Sequence, residues 1–248
     1  MSTLQDTAKP ARKSGEWKAI VILILLIPVL WSPPFLVRFC LYQPFSIPSS
    51  SMVPTLLIGD DVFAAKYSYG YSRYSFPGWL PAFSGRIFGS EPLRGDVIVF
   101  RLPSDTKVDY VKRVVGLPND RIQIKEGQLF INDKPVTRQR LKDGVEEYAC
   151  GIEPGTKAKR WWETLPNGAS YEILDCIENG FYDNTSVYTV PPGHVFVLGD
   201  NRDNSTDSRV LKTVGYVPME NIVGKVTRIY FSVGDEDLRT ERIWMKVK

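Results

Sequence analysis

The chain has 248 residues, with 31 Lys and Arg against 28 Asp and Glu, a net charge of +3. So slight a balance, with no basic run interleaved with base-stacking aromatics, argues against nucleic-acid binding. The 18 Pro, 19 Gly and many short Val/Ile/Tyr/Phe runs point to a mainly β body, one sizeable domain or a domain with an inserted lobe.

Residues 1–18 form a polar tail with Lys9, Arg12, Lys13 and Lys18. Residues 19–37 carry no charged side chain and are rich in Ile, Leu and Val. That length suits one helical crossing of a bilayer, with Trp17 and Trp31 near its ends and Pro33-Pro34 ending or kinking it. No Ala-x-Ala-like site follows, so the segment reads as a retained anchor rather than a cleaved leader. After Arg38 no Lys or Arg occurs until Lys66, so the positive-inside bias puts the tail in the cytoplasm and the body outside.

Thirteen residues separate Val37 from Ser51, which lies in a Ser-Ser-Ser run bracketed by Pro48 and Pro54. The prolines predict a stiff, exposed turn. Residues 60–67 read as a strand, followed by an aromatic stretch from Tyr67 to Phe88 broken by Gly and Pro. Two readings of that stretch stay open: a loop at the lipid interface, or a loop packed on its own domain. Strands are expected over 95–101, 108–115, 121–125 and 128–132, then a turn-rich lobe over 134–190, then strands over 194–198, 222–231 and 243–247. No strand–helix alternation occurs, so the fold class is an antiparallel β-sheet core with an inserted β lobe behind one transmembrane helix. The expected divisions are tail 1–18, anchor 19–37, core 38–133 and 191–248, and lobe 134–190. Cys150 and Cys176 lie in the lobe without metal-ligand spacing, either as a disulfide or as two unpaired cysteines.

A serine nucleophile needs a base. The single histidine, His194, opens an apolar strand after Pro-Pro-Gly and reads as structural. A lysine serves only if burial lowers its pKa. Strand alternation puts Tyr110, Lys112 and Val114 on one face, with Lys112 between apolar neighbours. Arg113 points the other way and does not deprotonate in proteins. The polar run 199–209 lacks the spacing of a calcium loop and suits a loop braced by its own hydrogen bonds, such as Asp207 with Arg209. No metal site or cofactor motif is expected.

Four stretches together resemble the type I signal peptidases, membrane-anchored Ser/Lys proteases. They are Pro-Ser-Ser-Ser-Met-Val-Pro-Thr-Leu at 48–56, Gly-Asp-Val-Ile-Val-Phe at 95–100, Tyr-Val-Lys-Arg-Val-Val-Gly-Leu-Pro-Asn-Asp at 110–120, and Gly-Asp-Asn-Arg-Asp-Asn-Ser-Thr-Asp-Ser-Arg at 199–209. The resemblance implies Ser51 as nucleophile and Lys112 as general base, with Ser205 orienting the lysine and Asp207 and Arg209 supporting the loop. It implies an oxyanion hole from the Ser51 N–H and the Ser49 hydroxyl. It also implies pockets for small residues lined by Phe45, Ile47, Pro48, Met52, Leu56, Tyr110 and Val111. The implied substrates are preproteins bearing signal peptides, met at the surface of the bacterial cytoplasmic membrane by a domain on its outer side. Ser50 and Asn119 depart from the pattern, since many relatives carry Gly at both positions. Two alternatives remain: a specialised pilus-processing peptidase, and a catalytically silent membrane-tethered scaffold.

Overall fold

The computed structural model describes residues 37–76, 83–145, 157–234 and 237–248. Contacts group the chain into two units, Met1–Cys40 and Leu41–Lys248. The expected anchor lies outside the described residues save for Val37, which opens a π-helical turn at Val37–Leu41. Among the described residues no helix is long and apolar enough to cross a membrane.

Among the described residues the larger unit has sixteen strands. They are β1 Tyr42–Ser46, β2 Asp60–Ala65, β3 Val97–Leu102, β4 Asp105–Gly116, β5 Arg121–Lys125, β6 Gln128–Ile131, β7 Lys134–Pro135 and β8 Thr137–Arg140. After these come β9 Gly144–Val145, β10 Lys157–Ala158, β11 Arg160–Thr164, β12 Ser170–Leu174, β13 Tyr188–Thr189, β14 His194–Leu198, β15 Val217–Pro218 and β16 Ile222–Ser232. The main sheet runs β1-β2-β16-β3-β4-β14-β15, and every pairing in it is antiparallel. Period-two alternation divides β3 between two cores. Val97 and Val99 pack with Ile47, Met52 and Leu56, whereas Ile98 and Phe100 pack with Val114, Val195 and Val197.

Strands β13-β5-β6-β7 form a second sheet, β12-β11-β8 a third, and β9 and β10 a ribbon. Ile122, Ile124, Leu129 and Ile173 from these small sheets share a core with Val115, Phe196 and Leu198 of the main sheet. Strands β5 and β6 therefore pair with strands of the turn-rich region rather than with the main sheet.

Several elements differ from the sequence expectation. Strand β1 was not anticipated because Pro44 sits in it; β1 is the sheet's edge, where a missing N–H costs no ladder bond. Strand β2 ends at Ala65, and Lys66–Ser68 turns as a 3-10 helix. No strand covers 243–247: a 3-10 turn at Thr240–Arg242 precedes it, and Trp244 takes a left-handed φ of 64°, which breaks extended backbone. An isolated bridge pairs Lys246 with Arg228, and Val247 N–H donates to the Thr227 carbonyl at 3.0 Å. In the aromatic stretch, Tyr69 is buried and donates to Asp96 at 2.7 Å, while Tyr67 and Phe88 are exposed. Arg86 clips its two described arms together through the carbonyls of Tyr69 and Gly70. Asn119 has a φ of 69°, the conformation that glycine would take there, whereas Ser50 is not among the residues with positive φ.

Candidate active site

Ser51 lies in a 3-10 turn, Ser50–Met52, and is buried rather than exposed as the prolines suggested. The reason is the loop 199–209, which covers it. Asn201 donates from its backbone N–H to the Ser51 carbonyl at 3.2 Å and from Nδ2 to the Ser50 carbonyl at 3.1 Å. Asn204 Nδ2 donates to Ser50 Oγ at 2.8 Å. The Ser50 side chain thus has a definite partner.

Lys112 stands on β4, paired with Ile98 of β3. Its face is shared with Tyr110, whose ring centroid lies 5.4 Å from Lys112 Nζ. The lysine is 4% exposed, and Nζ donates to Ser51 Oγ at 2.7 Å and to the Val111 carbonyl at 2.8 Å. Burial pushes its pKa down to about 8; Asp207 and Asp200 oppose that shift and Arg209 adds to it. A neutral amine at this distance can accept the serine proton. Ser49 Oγ lies 3.2 Å from Ser51 Oγ.

The loop is braced as its composition suggested. Arg209 grips Asp207 with Nε and Nη2, each at 2.8 Å, and Gly199 N–H donates to the same carboxylate at 3.0 Å. Burial disfavours the Asp207 carboxylate, but Arg209 and these donors outweigh it and hold its pKa below the usual value. The expected hydrogen bond from Ser205 to Lys112 is not made. Ser205 Oγ is buried without a hydrogen-bond partner of ordinary geometry, and its hydroxyl lies close enough to Asp207 to help lower that carboxyl's pKa.

Three supports were missed at the sequence level. Arg113, the neighbour of Lys112, forms a buried two-pronged pair with Asp200 at 2.8 and 2.6 Å and stacks over Tyr171 at 3.9 Å. Arg202 and Tyr171 both donate to Glu163, at 2.6 and 2.7 Å. Leu174 N–H donates to the Asp200 carbonyl and Arg202 N–H to the Leu174 carbonyl, so β12 is sewn to the loop. The polarity of 199–209 signalled a braced loop, but nothing in the sequence named these partners.

A cavity of about 580 Å³ opens onto the pair Ser51 and Lys112. Phe45, Ile47, Pro48, Met52, Tyr110 and Val111 line it as expected; Leu56 does not, being fully buried in the core behind Met52. Beyond Arg113, β14 leaves β4, so residues 108–112 have no strand on that side among the described residues.

The model for the family described as "Signal peptidase, peptidase S26" matches residues 15–231. The chain belongs to that signal peptidase family. The signal peptidase I of Rickettsia massiliae is 40% identical over 259 aligned positions, covering 100% of this chain and 91% of the relative. That of Rickettsia typhi is 43% identical over 224 positions, covering 86% and 82%. A solved signal peptidase I from Enterococcus faecalis aligns at 26% identity over 56% of this chain and 98% of that one, with a TM-score of 0.33, too low to bear on the fold. This signal peptidase is a serine endopeptidase that removes signal peptides from preproteins.

Proposed function

We propose that Ser51 is the nucleophile and Lys112 the general base of a membrane-anchored signal peptidase cutting after small residues. One observation carries the reading: a buried lysine amine with a depressed pKa hydrogen-bonded at 2.7 Å to a serine hydroxyl. Lys112 takes the Ser51 proton as Oγ attacks the scissile carbonyl. The resulting ammonium then gives its proton to the departing amine, and a water activated by the same amine hydrolyses the acyl-enzyme. The Ser51 N–H, which has no acceptor within its own short turn, and the Ser49 hydroxyl receive the oxyanion. Asp207 and Arg209 hold the loop, and Ser205 shapes the lysine's surroundings rather than accepting its hydrogen bond.

An extended signal-peptide segment adds alongside residues 108–111, whose strand edge is open there. Phe45, Ile47, Met52 and Val111 leave room for small side chains. Residues 19–37 anchor the enzyme in the bacterial cytoplasmic membrane, residues 1–18 stay in the cytoplasm, and the catalytic body works on the outer side at the lipid surface. The division into core 38–133 and 191–248 with lobe 134–190 belongs to the same proposal. So does a Cys150–Cys176 bridge: Cys40 is a free cysteine, and Cys150 lies outside the described residues.

The test is cleavage of a preprotein ending its signal in Ala-x-Ala, in detergent, by wild type, Ser51→Ala and Lys112→Ala. Circular dichroism must show both variants folded. Cleavage by wild type alone is expected; cleavage by either folded variant at the wild-type rate refutes the dyad.

A further inference from the structure

The cavity holding Ser51 and Lys112 has lining residues that the proposed chemistry does not use. Phe45, Ile47, Pro48, Tyr110 and Val111 give the cavity an apolar lining in the chain segments that lead to Ser51 and Lys112. Tyr182, Asp203 and Thr206, from elements far along the chain, line the same cavity. A polypeptide being cut occupies both sides of the scissile bond. With the signal peptide on the apolar lining, Tyr182, Asp203 and Thr206 are left for the residues after the cut.

Beside Tyr182, Phe181 is 89% exposed, the most exposed large apolar side chain among the described residues. A lone exposed phenyl is ordinary on a protein surface. This one differs in two respects. Its ring meets the cavity-lining Tyr182 edge to face, with centroids 4.7 Å apart and planes at 89°. Its turn is also fixed onto the catalytic loop. Gly180 N–H donates to Asp183 at 2.7 Å, and a Cβ on Gly180 would lie 2.9 Å from Asp203 Oδ1. Asp203 in turn accepts from Cys176 N–H at 2.7 Å, and the Arg209 guanidinium sits 4.9 Å from the Tyr182 ring centroid. The turn and the Tyr182 ring are held, and Phe181 stands out from them into solvent beside the cavity-lining Tyr182.

We infer that Phe181 and Tyr182 form a specificity wall for the first residues after the cut, favouring apolar side chains in an extended mature segment. The inference rests on the placing of the signal peptide proposed above. Laying an apolar side chain against these rings removes part of its surface from water and corresponds to about a fivefold preference.

The test uses two peptides identical through the cut, one followed by three apolar residues and the other by three serines. Both are cleaved by the full-length enzyme in detergent. Wild type should favour the apolar peptide about fivefold in kcat/KM. Phe181→Ser should erase that preference by raising KM for the apolar peptide alone, and Phe181→Tyr should keep most of it. No preference in wild type, a preference that survives Phe181→Ser, or an equal fall in kcat for both peptides would overturn the inference. Ser51→Ala on the same peptides separates the two readings: activity in that variant defeats the dyad, whereas the Phe181 results bear on the wall alone.

Discussion

Lys112 Nζ donates to Ser51 Oγ across 2.7 Å from a side chain almost sealed from water. The burial that lowers the lysine's pKa to about 8 suits it to the proposed role of base near neutral pH. A base must be neutral to accept a proton, so activity should rise as pH climbs through about 8 and then level. Below that, kcat/KM should fall about tenfold for each pH unit. A profile of kcat/KM from pH 5 to pH 10 checks it, and a flat rate down to pH 5 would contradict a lysine base.

The same burial carries a stability cost. The amine titrates at 10.5 in an open chain and at about 8 when folded. Above 10.5 both states hold it neutral and nothing is lost; as pH falls to 8 the folded state progressively loses stability, and below 8 the whole difference applies. That difference is about 3 kcal/mol. Lys112→Met should therefore stabilise the protein at pH 7 while abolishing cleavage, and the gain should shrink by pH 10. Urea unfolding at the two pH values measures it. A gain of the same size at both would mean that better packing, not desolvation, is responsible.

Asn204 is linked to Ser51, the proposed nucleophile, through Ser50. Its Nδ2 donates to Ser50 Oγ, and together with Asn201 it fixes the turn that carries Ser51. Asn204→Ala removes one partly buried hydrogen bond, worth about 1 kcal/mol. If that bond positions Ser51, kcat should drop about fivefold with KM little changed. Ser50→Gly should produce a similar drop, and the double variant should be no worse than either alone. Additive losses would show that the two residues act separately.

How much of this was legible beforehand differs from residue to residue. Alternation along β4 placed Lys112 with Tyr110, because a period of two is local and depends on burial. Three of the four motifs supply lining residues of the cavity that holds Ser51 and Lys112. Strand β1 went unseen because Pro44 reads as a breaker unless the strand is known to lie at an edge. The serine turn was read as exposed because Asn201 and Asn204, which cover it, act from about 150 residues away. Arg113 was set aside as a failed base. Its partner Asp200 lies 87 residues further along, and no periodic signal links such a pair.

That pair gives the last expectation. Arg113 and Asp200 are each about 1% exposed at the side chain, and Arg113 also donates to the carbonyls of Gly95 and Lys248, at 2.7 and 2.8 Å. Asp200→Ala leaves a buried guanidinium without its counter-charge and should cost about 3–5 kcal/mol in urea unfolding. Combining it with Arg113→Met removes the stranded charge and should recover most of that loss. Recovery should stop short of complete, since the Gly95 and Lys248 carbonyls lose their donor. The double variant should still cleave more slowly than wild type, because Asp200 adjoins Asn201, which holds Ser51 through its backbone N–H. Full recovery of stability together with full activity would show that the pair neither strains the fold when broken nor helps place the nucleophile.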